Sequence, residues 1–336
     1  MSEVFGWDSA EVARRIGSTR QVARIDSFTE VEGPERGARL LRLVNAGGIE
    51  AELHPDRALD IGRVTFRGVP ISWLSAGGFG PSAPYEPSGK AWLRSFGGGL
   101  LTTCGLDTIG LPSVDQGVSY GQHGRIGVTA ARMMRVEADL AHLLVEGSSR
   151  QTSVFGENLV LARTIRSATG SDSLTVSDVV TNEGFERAPH MILYHVNLGW
   201  PLIDETCEIE IPSIATVPRD EDARKGLDDW RRFGAPIRGF REQVFRHDFD
   251  AGDDVVATVR NRKIGLQVDL RFSATTLPYL HQWKMSGEGT YVLGLEPSNS
   301  KTLLGRAAAR ANDQLLWLGP GESINYRIDF RIRAIN

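Results

Sequence analysis

The stretch Met191-Ile192-Leu193-Tyr194-His195-Val196-Asn197-Leu198-Gly199 carries a histidine two residues before an asparagine. Side chains alternate across a β-strand, so Leu193, His195 and Asn197 share one face. Ile192, Tyr194, Val196 and Leu198 form an apolar wall on the other. A proton-carrying ring and an amide thus stand side by side. Tyr291-Val292-Leu293-Gly294-Leu295-Glu296-Pro297 reads the same way, with Glu296 and Gly294 on one face and Pro297 ending the strand. A glycine one step before a carboxylate leaves room for a ligand. An imidazole and a carboxylate can exchange protons with an oxygen-bearing substrate. The expectation is that His195 and Glu296 face each other across a sugar.

Three further clusters carry usable groups. His123 lies in Gly121-Gln122-His123-Gly124-Arg125, where glycines let a side chain come close to a ligand. In His281-Gln282-Trp283-Lys284-Met285, Gln282 and Lys284 share one face, and His281 and Trp283 the other. Tryptophan offers a sugar an apolar surface, and the amide and ammonium are donors beside it. In His54-Pro55-Asp56-Arg57-Ala58-Leu59-Asp60, Arg57 can present a fork of donors to an anion or a sugar oxygen. Each has a plainer alternative: a hydrogen-bonded core histidine, a Glu296 ion pair with an arginine, Trp283 as packing, Asp60 as the partner of Arg57.

Several chemistries lack their motif. Phe96-Gly97-Gly98-Gly99 follows no βα pattern, and Gly89-Lys90 is followed by Ala91, so neither is a nucleotide loop. No His-Glu-x-x-His occurs. His190 and His195 fall on opposite faces of one strand and cannot chelate one metal from it.

The elements that must hold these groups are strands. Period-two patterns run near 19–31, 38–46, 48–54, 58–66, 69–74, 132–138, 140–147, 159–167 and 173–182. The clearest are 266–272 and 324–332, whose apolar residues alternate strictly with polar ones. Arg67-Gly68 reads as a tight hairpin turn. One short helix is expected over 8–17, capped by Asp8 or Ser9 and stopped by Gly17. Many short antiparallel strands imply an all-β sandwich or barrel. Two excursions break the pattern: 76–99, with Tyr85, Trp92 and Phe96, and the highly charged 218–242. Segments of this length serve as binding loops, lids or solvated surface.

With 336 residues, 41% of them hydrophobic, the chain is long for one core, yet all-β units reach this size. A net charge of −4 without a basic block argues against nucleic acid. Two isolated cysteines, Cys104 and Cys207, make no disulfide framework, and a reducing compartment, the cytoplasm, is expected. The N-terminus has no signal-peptide pattern, and no apolar run is long enough to span a membrane.

Taken in order, the segments Leu53–Ile61, Gly98–Gly105, Gln122–Arg125, Leu193–Gly199 and Gly294–Asn299 resemble the aldose 1-epimerase (galactose mutarotase-like) superfamily, in particular its bacterial branch known as a domain of unknown function. The resemblance covers most of the chain. It implies a single domain over 1–336 with a large antiparallel β-supersandwich fold. It also implies His195 as general acid, Glu296 as general base and His123 as a ligand of sugar oxygens, with no metal or cofactor. The family's hydroxyl-gripping aspartate and its early Asn-Arg pair find no match. Gln282, Lys284 and Arg57 are expected to do that gripping instead, on a sugar other than galactose or glucose, and Asn197 and Trp283 are expected to bind it as well. The partner expected is a small carbohydrate, not a nucleic acid or a membrane; self-association, if any, is expected as a homodimer. Two other readings stay open. One is a metal-dependent isomerase, epimerase or lyase using His54, His123, His195 and Glu296 as ligands. The other is a carbohydrate-binding protein in which Trp283 and Trp92 stack on the sugar.

Overall fold

Alternating apolar and polar residues turn most of the chain into strands, which a computed structural model describes over residues 4–81, 86–252 and 254–335. Tyr85 lies outside the described residues. Two large sheets, of 12 and 8 strands among the described residues, pack face to face. The all-β supersandwich expected from the sequence is therefore present. The short N-terminal helix is Ser9–Ala13, with the Asp8 carboxylate accepting from the Glu11 N–H. Among the described residues no helix is long and apolar enough to cross a membrane.

Local departures from the sequence reading have local causes. The expected strand 19–31 opens with a 3₁₀ turn, Thr19–Gln21, capped by Ser18, and pairs only over Arg24–Thr29. The expected 69–74 strand pairs as a ladder only at Val69–Pro70; the Ile71 N–H still donates to the Val64 carbonyl, but the Ser72 hydroxyl takes the Val64 N–H in place of a backbone carbonyl. The chain then crosses the sheet, with isolated bridges from Ser72 to Leu198 and from Leu74 to Gly98. Arg67 and Gly68, with φ of 50° and 81°, make the tight turn between Asp60–Phe66 and Val69–Pro70.

Four strands of the larger sheet lie side by side: Leu101–Leu106, Ala188–Gly199, Thr290–Ser298 and Tyr279–Gly287. All twelve residues of Ala188–Gly199 are buried. Ile192, Tyr194, Val196 and Leu198 enter the main core between the sheets. Leu193 turns the other way, into a smaller cluster with Trp92, Phe96 and Cys104. Trp92 and Phe96 come from the 76–99 excursion, which folds a short helix, Trp92–Ser95, over this face. Each large apolar side chain so covered contributes about 1.5–3 kcal/mol.

A buried ionic network joins the sheets directly behind this strand. Arg163 pairs with Asp60 at 2.6 Å and with Asp178 at 2.7 Å, and donates to the Thr103 hydroxyl. Thr103 donates to Asp60 through both its N–H and its hydroxyl, and the Tyr194 hydroxyl donates to Asp178. Asp60 thus serves Arg163 rather than the neighbouring Arg57.

Candidate active site

Strand register brings the histidine and the carboxylate together. Val196 faces Leu295 and Leu193 faces Ser298 across the two central strands, so the intervening register sets His195 opposite Glu296. Directly opposed residues on one face of an antiparallel pair have Cβ atoms about 5 Å apart. The side chains meet: His195 Nε2 lies 3.1 Å from Glu296 Oε1. The row continues, with Thr102 opposite His195 on one side and His281 opposite Glu296 on the other. The pair therefore stands shoulder to shoulder on one sheet face, and no sugar fits between its members as the sequence reading expected.

His195 and Glu296 are 5% and 2% exposed, and both line an open cavity of about 130 Å³. Its walls come from the two excursions. Lys90, Trp92 and Phe96 belong to the first, and Arg219 and Glu242 stand at the two ends of the second. Trp283 forms another wall, its indole N–H donating to Glu242 at 3.0 Å, and the other Glu242 oxygen accepts from Arg219 at 2.9 Å. His123 enters from its loop with a left-handed backbone, φ 57°. The Gly110 N–H donates to His123 Nδ1 at 3.4 Å, which leaves Nε2 to carry the proton of the neutral ring.

Burial dominates the protonation of these groups. It lowers His195 to about 4, opposed by the Asn197 side chain. It lowers His123 to about 3, helped by His195 and His281. It pushes the Glu296 carboxyl well above its usual range, with Glu242 adding to the rise and Arg219 opposing it. At neutral pH the pair therefore holds one proton between its two members. It reads as imidazole beside carboxylic acid, or as imidazolium beside carboxylate once that proton crosses the 3.1 Å contact. The contact lies off the line of a good hydrogen bond, and Glu296 Oε1 and His195 Nδ1 are both buried without a hydrogen-bond partner. Buried polar atoms are normally satisfied, so an orphaned oxygen on a cavity floor marks a place for a ligand's polar group.

The fold does not gather every residue expected at the site. His195, Glu296, His123 and Trp283 meet in the cavity. Asn197 is fully buried beneath it, donating to the carbonyls of Gly99 and His195. Gln282 and Lys284 point through the opposite face of their strand, as alternation requires once Trp283 faces the cavity. The Gln282 amide donates to the Trp230 carbonyl, its oxygen lies 3.0 Å from His247 Nε2, and Lys284 donates to the Asp229 carbonyl. These two residues fasten the second excursion, on the face of the strand away from the cavity. Arg57 lines a separate cavity with Arg94 and Ser95, across the helix Trp92–Ser95 from His195, and donates to the Gly80 carbonyl. His54 is in a third cavity, stacked on Phe79 at 4.2 Å, so the four ligands of the metal-dependent reading are not assembled. Gly294 makes room for the protein itself: an added Cβ would lie 2.9 Å from both Glu296 Oε1 and Trp283 Cβ. Arg219 and Glu242 escaped the sequence reading. Their only signal was position at the ends of a charged segment too long for a simple connection.

A family model described as "Domain of unknown function (DUF4432)" matches residues 35–332. The chain belongs to that family. Among solved structures, it is similar to a Klebsiella pneumoniae protein provisionally assigned as an aldose 1-epimerase, with a TM-score of 0.82 and 24% identity over 92% of this chain and 83% of that one. A galactose mutarotase-like protein from Clostridium acetobutylicum gives a TM-score of 0.66 and 16% identity over 94% and 100% of the two chains. Galactose 1-epimerase from Lactobacillus acidophilus gives 0.61 and 12% over 94% and 100%. No curated protein matches. At these identities the likenesses establish the galactose mutarotase-like fold of this DUF4432 chain.

Proposed function

We propose that this DUF4432 protein is an aldose 1-epimerase-like isomerase, one domain over 1–336, that interconverts the anomers of a sugar or sugar derivative. The observation that carries the reading is the 3.1 Å approach of His195 Nε2 to the orphaned Glu296 Oε1 on the floor of an open, tryptophan-walled cavity. The chemistry suits two neighbouring groups. The hydroxyl oxygen and the ring oxygen of a hemiacetal sit on the same carbon, so a side-by-side pair reaches both from one side.

In its imidazolium–carboxylate form the pair acts in concert. Glu296 takes the proton of the anomeric hydroxyl while His195 Nε2 gives one to the ring oxygen. The O–H bond and the bond from C1 to the ring oxygen break; a C1 carbonyl and a new hydroxyl form. The pair gains one proton and gives one, so its total is unchanged. Rotation about the C1–C2 bond and the reverse transfers close the ring as the other anomer. Positioned acid–base catalysis supplies about 10²–10⁴-fold per group. A proton donor and a proton acceptor are all that this sequence of steps demands.

His123 Nε2–H and the Arg219–Glu242 pair are assigned to sugar hydroxyls, and the Trp283 and Trp92 faces to the ring. The buried, unpaired thiols of Cys104 and Cys207 support a reducing compartment such as the cytoplasm. Saturation transfer between anomeric protons tests the reading over a panel of neutral, acidic and sulfonated sugars. Enzyme-dependent exchange of at least one sugar is expected. Sugar binding with no exchange would instead make the protein a carbohydrate-binding module.

A further inference from the structure

The second residue of the His-x-Asn pair has lost its place as a substrate ligand, and its surroundings give it another task. Asn197 is 0% exposed. Its amide nitrogen donates to the Gly99 carbonyl at 3.0 Å and to the carbonyl of His195 itself at 2.9 Å. With both amide protons spent on carbonyls, the side chain is locked and its oxygen is turned away from them. That oxygen is buried without a hydrogen-bond partner, and so is Nδ1 of His195. The two orphans belong to residues two apart on the same strand face. The Asn197 side chain favours the protonated ring, as a facing oxygen acceptor does and an N–H donor does not.

We propose that Asn197 is a positioning residue for His195: its amide oxygen holds the Nδ1 proton and leaves Nε2 as the ring atom that trades a proton with Glu296 and the substrate. An amide oxygen can only accept, so a ring that faces it carries hydrogen on Nδ1 in both its neutral and its charged form. The neutral ring is then the Nδ1–H tautomer, with the Nε2 lone pair beside Glu296. The charged ring keeps that hydrogen and adds one at Nε2, the atom 3.1 Å from Glu296 Oε1. Turned the other way, the neutral ring would carry its hydrogen on Nε2 and bury the Nδ1 lone pair against the amide oxygen. Both would then be unsatisfied acceptors, a costly arrangement in a buried site. Thr102, opposite His195 on the neighbouring strand, spends its hydroxyl hydrogen on the Gly98 carbonyl and makes no hydrogen bond to Nδ1. The His123 ring centroid lies 5.9 Å away, Trp92, Phe96 and Trp283 present aromatic rings, and Glu296 meets Nε2. Arg219 and Glu242 act on Glu296.

The proposal rests on the proposed function for its catalytic meaning, but its core is a tautomer that can be read without any substrate. Long-range ¹H–¹⁵N correlation of the full chain labelled at histidine, with His195→Gln to assign the signals, reports which ring nitrogen holds hydrogen between about pH 5 and 8. The Nδ1–H pattern at His195 is expected in the unaltered protein; an Nε2–H pattern overturns the proposal whatever the activity. In Asn197→Ala the Nδ1–H preference is expected to disappear. With a sugar that exchanges, kcat should fall roughly ten- to a hundredfold while KM stays near its original value. Asn197→Asp, which keeps an acceptor oxygen, should retain the Nδ1–H form. An Asn197→Ala ring that remains Nδ1–H counts against the proposal. If the variants fail to fold, the spectrum of the unaltered protein still decides. An Nδ1–H ring with no anomer exchange for any sugar would sink the enzymatic reading and leave this one standing.

Discussion

Acid should unfold this protein well before its surface carboxylates titrate. Six of its seven histidines are buried and held neutral. Burial takes His54 and His123 to about 3, and His190, His195, His247 and His281 to about 4, from an ordinary value of 6.5. A histidine whose native pKa is depressed stabilises the fold above 6.5 and loses that contribution as pH falls towards the native value. Between those limits the unfolded chain binds the extra proton. Three buried carboxyls work the other way. Burial raises Glu296, Asp60 and Asp107, opposed by Arg163 at Asp60 and by Arg306 at Asp107, so each releases its proton at a higher pH in the native state than in the unfolded chain.

The histidines outnumber the carboxyls by three. Counting each carboxyl as keeping a whole proton sets the lower limit: each unmatched proton is worth about 1.4 kcal/mol per pH unit, a net slope of at least about 4 kcal/mol per unit below pH 6.5. Two units remove about 8 kcal/mol, most of a typical domain's stability of roughly 5–15 kcal/mol. Urea unfolding followed by tryptophan fluorescence at stepped pH measures this directly. The urea midpoint should fall steeply from pH 6.5 towards 5. A midpoint that holds constant or rises over that range would refute the claim that these rings are neutral in the native state.

Other consequences are equally specific. His195→Asn should fold with near-normal urea stability and turn over at least a hundredfold more slowly; loss of folding would make the ring a structural residue instead. Gly294→Ala should leave the sheet intact, as judged by circular dichroism, yet lower anomer exchange at least tenfold, because the added methyl meets the Glu296 carboxylate and Trp283. Unchanged exchange would show that Glu296 does not need its present position. Arg163→Met should cost roughly 3–5 kcal/mol in urea unfolding, because it strands Asp60 and Asp178 between the sheets. A loss below 1 kcal/mol would mean that the network is dispensable.

What the sequence reveals here follows the physics of a strand. The period of two correctly turned Tyr194 inward and His195 outward, and put Glu296 on the face of Gly294. The same alternation forbids Gln282, Trp283 and Lys284 from sharing one cavity, yet it does not say which face of a doubly buried strand meets the ligand. Asp229 and Trp230 settled that by folding over the Gln282 and Lys284 side. The direct contact of His195 with Glu296 depends on which strands pair and in what register, information that neither stretch contains. Arg57 sits near the site in three dimensions but behind the helix Trp92–Ser95, a separation that residue type cannot reveal. Arg219 and Glu242 became visible only when the excursion closed on itself through their ion pair.

The central claim is that one histidine and one carboxyl, adjacent on a sheet face, share the protons of ring opening. Anomer exchange by saturation transfer, on a sugar that the unaltered protein turns over, tests it most directly with Glu296→Gln. That variant keeps the side-chain shape and removes the exchangeable acid. Exchange should drop by at least about two orders of magnitude while the sugar still binds. A variant that exchanges anomers at close to the original rate would contradict the account.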